Sequence, residues 1–225
     1  MQPTVAPHIK ICCISSIQEA MLAIDCGASA LGLVSAMPSG PGIIDESLVA
    51  EIAAAVPPGI ATFLLTSEQD PDIIIQQQHR CRTNTVQLCD RIETVAYPIL
   101  RQALPGIKLV QVIHVQDKDA INEARLISQH VDAILLDSGN QNLEVKELGG
   151  TGRVHDWQIS RQIREEIDVP LFLAGGLKPD NVRVAIEQVE PFGLDLCSGV
   201  RTDDRLDENK LRSFFKAVRE TTEQR

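Results

Sequence analysis

Short apolar runs rich in β-branched residues alternate along the chain with longer stretches in which apolar residues recur every three or four positions. The first pattern reads as a buried strand and the second as an amphipathic helix. Strands are expected at 8–14, 30–35, 59–66, 85–89, 108–115, 133–137, 170–174 and 193–198. A helical pattern follows each, at 16–26, 45–55, 70–81, 92–103, 117–129, 156–167, 179–189 and 207–221. Several helices open on a capping aspartate or serine, or on a first-turn proline, as in Lys178-Pro179-Asp180-Asn181. Eight β-then-α units with no segment left over predict an α/β protein of the (β/α)8 TIM-barrel class. An open doubly wound sheet would use only about five or six strands. Residues 1–225 are expected to form this one domain, because no linker, low-complexity tract or strong repeat interrupts them. The longest connection without a pattern of its own is 138–148, which reads equally well as a binding loop or as a surface insertion.

Composition narrows the class of function. The chain is 44% hydrophobic but only 3% aromatic, so its core should be aliphatic. A formal net charge of −10 argues against nucleic acid or an anionic membrane as partner, while leaving room for a small anionic substrate at a local positive site. The six cysteines (Cys12, Cys13, Cys26, Cys81, Cys89 and Cys197) lack CxxC or zinc-ribbon spacing and read as reduced thiols. The first residues lack a signal-peptide pattern, and no apolar run is long enough to span a membrane. A cytoplasmic protein, monomer or homodimer, is the expectation.

Three glycine-bearing turns cluster in the last third: Gly149-Gly150-Thr151-Gly152, Leu173-Ala174-Gly175-Gly176-Leu177 and Cys197-Ser198-Gly199-Val200. The second and third each follow an expected strand and precede a helix, where bare backbone N–H groups can converge on an anion. Barrels often hold phosphate on the loops after strands seven and eight. A small phosphorylated substrate is therefore expected, its phosphate held by Gly150, Thr151, Gly152, Gly175, Gly176, Ser198 and Gly199. Barrel chemistry sits at the C-terminal ends of strands, which selects Cys12, Cys13, Cys89, His114, Asp137, Asp195, Cys197 and Ser198. Taken alone, Cys12 also reads as a small buried hydrophobe and Asp137 as a loop-capping carboxylate. Trp157 reads as helix packing.

In this setting Lys10-Ile11-Cys12, Val86-Gln87-Leu88, Leu135-Leu136-Asp137, the first glycine turn with Asp156-Trp157, the second glycine turn, and Asp195 through Val200 occur in order across nearly the whole chain. Together they resemble the phosphoribosylanthranilate isomerase family, (β/α)8 enzymes of tryptophan biosynthesis. The resemblance implies an Amadori rearrangement, an aldose-to-ketose isomerisation without metal or organic cofactor. An acid opens the furanose to a Schiff base, and a base then removes the C2 proton. By resemblance Asp137 is the acid and Cys12 the base, with Lys10, Gln87 and Asp195 as further substrate contacts. A thiolate of suitable pKa and a shielded carboxyl suit those roles.

Four positions depart from the family pattern. The family's Ser-Pro-Arg after strand two, whose arginine meets the substrate's aromatic carboxylate, is replaced by Pro38-Ser39-Gly40-Pro41-Gly42. Such a loss is worth about 1.5–3 kcal/mol. Cys13 stands for a glycine, Cys89-Asp90 for His-Gly, and Arg201 for a glutamate, where it would meet phosphate or face solvent. A soft-metal site among Cys12, Cys13, Cys89 and Cys197, with His114 near, is conceivable but not expected. The departures keep two alternatives in view. One is a related barrel isomerase acting on another phosphorylated aminosugar, and the other is a phosphate-binding pseudoenzyme without turnover.

Overall fold

Successive strand residues face opposite ways, so strands that are apolar at every position must bury two surfaces. Both surfaces are present in the computed structural model, which describes residues 6–140, 143, 145–149 and 152–223. The strands are β1 (His8–Ile11), β2 (Ala30–Val34), β3 (Ala61–Thr66), β4 (Thr85–Leu88), β5 (Lys108–His114), β6 (Ala133–Asp137), β7 (Leu171–Leu173) and β8 (Gly193–Leu196). They pair in parallel, in chain order, and β8 returns to β1 to close the barrel. The helices are α1 (Ile17–Cys26), α2 (Glu46–Ala55), α3 (Pro71–Cys81), α4 (Ala96–Ala103), α5 (Asp119–Ile127), α6 (Trp157–Glu166), α7 (Val182–Val189) and α8 (Glu208–Glu223). The (β/α)8 architecture is the one the alternating pattern predicts.

One alternating set, including Ile9, Ile11, Leu31, Leu33 and Leu64, packs with helix residues such as Ala20, Ala23 and Phe214. The other set, including Ala30, Phe63, Val110, Leu135 and Phe172, forms a separate cluster inside the barrel. Polar residues interrupt that inner cluster, Lys10 and Asp195 among them. At the closing seam Lys10 stands opposite Asp195, and Lys10 Nζ donates to Asp195 Oδ2 at 2.9 Å with no exposure of the lysine. Gly32 makes the room: a Cβ there would lie 3.0 Å from Lys10 Nζ and 2.9 Å from Cys12 Sγ.

Local signals set the helix starts. Ser16 accepts from Glu19 N, Asp70 caps α3 ahead of Pro71, and Asp156 caps α6 through Gln158 N. Each such cap contributes about 1 kcal/mol. The element ends differ from expectation where the chain turns early. β1 stops at Ile11 because Cys13 takes a left-handed φ of 63°, which no strand accommodates. β8 stops at Leu196 and gives way to a 3₁₀ turn over Ser198–Val200. α4 and α7 begin three or more residues late, at Ala96 and Val182. A small hairpin, β9 (Arg201–Thr202) with β10 (Arg205–Leu206), was not expected; Asp203 and Asp204, both at positive φ, form its turn. Among the described residues no helix is long and apolar enough to cross a membrane.

Candidate active site

A cavity of about 690 Å³ opens at the C-terminal ends of the strands. Cys12, just past β1, and Asp137, the last residue of β6, both line it, together with Gln87 of β4 and Asp195 of β8. Gly152, Gly175, Gly176, Ser198 and Gly199 form one side. The lining also includes the apolar Val34, Met37, Pro41, Leu65 and Leu148. Gly150 and Thr151 lie outside the described residues. Lys10 is below the cavity rather than on its wall, turned into the ion pair with Asp195.

The glycine turns stack on one another, which gives their glycines a steric reason beyond the bare N–H groups. A Cβ on Gly199 would lie 2.2 Å from the Leu177 carbonyl oxygen. One on Gly176, at φ 63°, would lie 2.8 Å from the Arg153 carbonyl carbon and 2.9 Å from the Gly152 oxygen. Any side chain at these points would push the turns apart.

The two titrating groups are biased in opposite directions. Asp137 is buried, and that burial raises its carboxyl towards the protonated form, although Ser138 N donates to Oδ1 at 2.7 Å. Cys12 is pulled the other way. The Cys13 thiol donates to Cys12 Sγ over 3.7 Å, and this outweighs the burial that would keep Cys12 neutral; the Lys10 ammonium adds to the effect. Cys13 is pushed well up by the same bond, then by its contact with Cys197 and by burial. Burial opposes the charge on Lys10, but Asp195, with Cys12 and Cys89, more than offsets it. The site thus presents a proton-retaining carboxyl and a thiolate-prone sulfur to one cavity, a division suited to acid–base work on a single substrate.

Several sequence-flagged residues have other work. Arg201 neither lines the cavity nor faces solvent. It is buried behind the site, holds both carboxylate oxygens of Glu19 at 3.0–3.1 Å, and donates to the carbonyl oxygens of Cys12 and Cys13. Glu19 stands three residues after Ser16, at capping-box spacing, and that was the one sequence signal for this clamp. Cys89 is fully enclosed, its thiol pushed up by burial, and its carbonyl oxygen lies 3.1 Å from His114 Nε2. Among the described residues no three His, Cys, Asp or Glu side chains are grouped to hold a metal ion. Trp157 packs against the outer core.

The departure after β2 has a structural counterpart. Ser39 Oγ donates to the Lys146 carbonyl oxygen at 2.5 Å, lacing that loop to the one after β6. Lys146 Nζ reaches Asp90 at 2.5 Å. Leu148, the last residue of the long 138–148 connection, lines the cavity, which favours its reading as a binding loop. Among the described lining residues none is Lys, Arg or His, and the apolar wall of Met37, Leu65 and Leu148 was not legible in the sequence.

Comparison with known proteins gives a consistent result. Residues 9–217 match the model of the family described as N-(5'phosphoribosyl)anthranilate (PRA) isomerase. The chain is 36% identical to N-(5'-phosphoribosyl)anthranilate isomerase 2 of Methanosarcina mazei, over 92% of each chain. It is 32% identical to the Methanocella arvoryzae isomerase, over 95% of this chain and 99% of that one. Among solved structures, the phosphoribosyl anthranilate isomerase of Thermotoga maritima superposes with a TM-score of 0.82 at 26% identity, over 95% of this chain and 99% of that one. A phosphoribosyl anthranilate isomerase in complex with reduced 1-(o-carboxyphenylamino)-1-deoxyribulose 5-phosphate shares the fold, with a TM-score of 0.79 at 24% identity and the same coverage. Neither of the two alternatives finds support among these likenesses.

Proposed function

The chain belongs to the N-(5'-phosphoribosyl)anthranilate isomerase family, and we propose that Cys12 and Asp137 carry out the family's rearrangement in the cavity they share. The protein is an intramolecular aldose–ketose isomerase of tryptophan biosynthesis acting on a small phosphorylated substrate. In the proposed scheme the phosphate rests on Gly152, Gly175, Gly176, Ser198 and Gly199. This anchoring sets the ribose between the two titrating groups. Asp137, whose burial favours its protonated form, gives its proton to the ring oxygen, and the furanose opens to a protonated Schiff base. The Cys12 thiolate takes the proton from C2, and the resulting enolamine tautomerises to the 1-deoxyketose. Gln87 and Asp195 face the same space and are assigned to the sugar hydroxyls. Lys10 acts from beneath, by supporting negative charge on Cys12. The aromatic ring is assigned to the wall of Met37, Leu65 and Leu148.

The observation that carries this reading is the meeting of Cys12 and Asp137 on one cavity with the glycine turns, although 125 positions separate the two in the chain. Every group in the scheme comes from one chain, so a monomer or a homodimer would serve, with 1–225 as one catalytic unit in the cytoplasm. Steady-state turnover of N-(5-phosphoribosyl)anthranilate, followed by anthranilate fluorescence, tests it. Cys12→Ala and Asp137→Asn should each lose about 10²-fold or more in kcat, the usual contribution of a positioned acid or base. Near-wild-type kcat in either variant would remove that residue from the scheme.

A further inference from the structure

Three thiols form a row at the cavity wall. Cys12 Sγ lies 3.7 Å from Cys13 Sγ, and Cys13 Sγ lies 2.7 Å from Cys197 Sγ. The first two are chain neighbours; the third arrives at the end of β8, 184 positions away. All three line the cavity, and Cys197 is the most exposed of them, so a small oxidant that enters the site meets them. Cys13 is held at φ 63°, a left-handed conformation that favours glycine. Its side chain is buried in the inner cluster. The residue facing it, Gly42, has no room for one of its own, since a Cβ on it would lie 2.4 Å from Cys13 Cβ. Backbone strain retained beside a reacting group points to a use for the strained residue.

We propose that Cys13 and Cys197 are a peroxide-oxidised dithiol whose disulfide takes the S–H donor away from Cys12 and so switches the isomerase off reversibly. The two sulfurs need to close by only about 0.6 Å to reach a bond length of about 2.05 Å. One thiolate, reached from the cavity, attacks hydrogen peroxide to give a sulfenic acid and hydroxide. The second thiol then displaces water from that sulfenic acid. Two thiols and one peroxide become one disulfide and two waters; two electrons leave the sulfurs and reduce the peroxide oxygens. The consequence falls on Cys12, because the proton that Cys13 donated to it is gone. Its thiolate loses its strongest support, and the base becomes a weaker resident of the ionised form at neutral pH. This last link rests on Cys12 as the catalytic base, whereas formation of the disulfide does not.

The test treats the reduced protein with hydrogen peroxide and reads intact mass, peptide linkage and turnover in parallel. Expected are a loss of 2 Da, a tryptic cross-link between the segment beginning at Ile11 and the segment containing Cys197, and a fall of about tenfold or more in kcat/KM at neutral pH, reversed by dithiothreitol. The 2 Da loss should persist in Cys12→Ser and disappear in both Cys13→Ser and Cys197→Ser. A 2 Da loss that disappears in Cys12→Ser, or oxidation that only adds oxygen to single cysteines, would overturn the pairing. A complete Cys13–Cys197 cross-link with undiminished turnover would overturn the switch. If Cys12→Ala is fully active, the base assignment fails, and the mass experiment still decides the dithiol.

Discussion

Lys10→Met removes one charge from the barrel floor and leaves the stem of the side chain nearly intact, so it separates the electrostatic from the packing role of this residue. Lys10 Nζ is fully buried, 2.9 Å from Asp195 Oδ2 and 5.2 Å from the centre of the Phe63 ring. Both Nζ and Cys12 Sγ lie within 3.0 Å of the point where a Gly32 Cβ would stand, so they are no more than about 6 Å apart. At that separation, with an effective dielectric constant of about 20, the ammonium stabilises a thiolate by about 3 kcal/mol, roughly two pKa units. Relaxation of the dipoles around the neutral side chain returns part of this. A net rise of about one unit or more in the pKa of the base remains. The acidic limb of kcat/KM against pH reports that group in the free enzyme, so it should move up by this amount. Activity at neutral pH should fall about tenfold or more and recover as pH is raised. Urea denaturation should show a loss of about 3–5 kcal/mol for the single variant, and Lys10→Met with Asp195→Leu should regain much of it, because no unpaired charge is left buried. An acidic limb that stays in place while stability falls would refute the reasoning and reduce Lys10 to a structural ion pair.

Three further outcomes follow from the same geometry. Gly199→Ala puts a Cβ 2.2 Å from the Leu177 carbonyl oxygen and forces the second and third glycine turns apart; KM should rise about 10- to 100-fold, the worth of a charge-assisted contact, and a KM unchanged in the folded variant would take phosphate off these turns. His155 is pushed down to about 4 by burial, from 6.5. The unfolded chain therefore binds the extra proton first, and up to about 3 kcal/mol of stability present above pH 6.5 should drain away as pH falls towards 4. His155→Gln should flatten that part of the stability profile; an identical slope in the variant would show that other groups cause it. Because no Lys, Arg or His is among the described lining residues, the phosphoribosyl adduct of aniline should isomerise within about tenfold of the anthranilate compound in kcat/KM, since a charge-assisted contact would be worth more than that. A preference of a hundredfold or greater for the carboxylate would reveal a cation that reaches the site.

The boundary between what was legible and what was not runs between local and long-range physics. Capping at Ser16, Asp70 and Asp156 is settled within three residues, and those helices start where the sequence says they should. α4 and α7 start late because the residues ahead of them, Ile92–Val95 and Pro179–Asn181, spend their backbone on turns that join strand to helix. Strand ends were overrun for a related reason. An apolar residue such as Ile14 looks the same inside a strand and just beyond it, and only the φ of Cys13 reveals the break. Arg201 shows the limit most clearly. Its neighbours in sequence suggested phosphate or solvent, yet its partners, Glu19 and the Cys12 and Cys13 carbonyl oxygens, lie more than 180 positions away.

By itself the sequence determined the eightfold β/α alternation, the aliphatic core, and the strand-end positions at which Cys12, Asp137 and the glycine turns would serve. These depend on side-chain periods, capping and motif order, all of which are written along the chain. Tertiary structure alone decided that Lys10 would meet Asp195 across the closing seam, that Cys13 would touch Cys197, and that Arg201 would brace the turn carrying both cysteines. Those contacts depend on barrel closure and strand register, where a slip of one residue would turn every side chain of a strand to its other face.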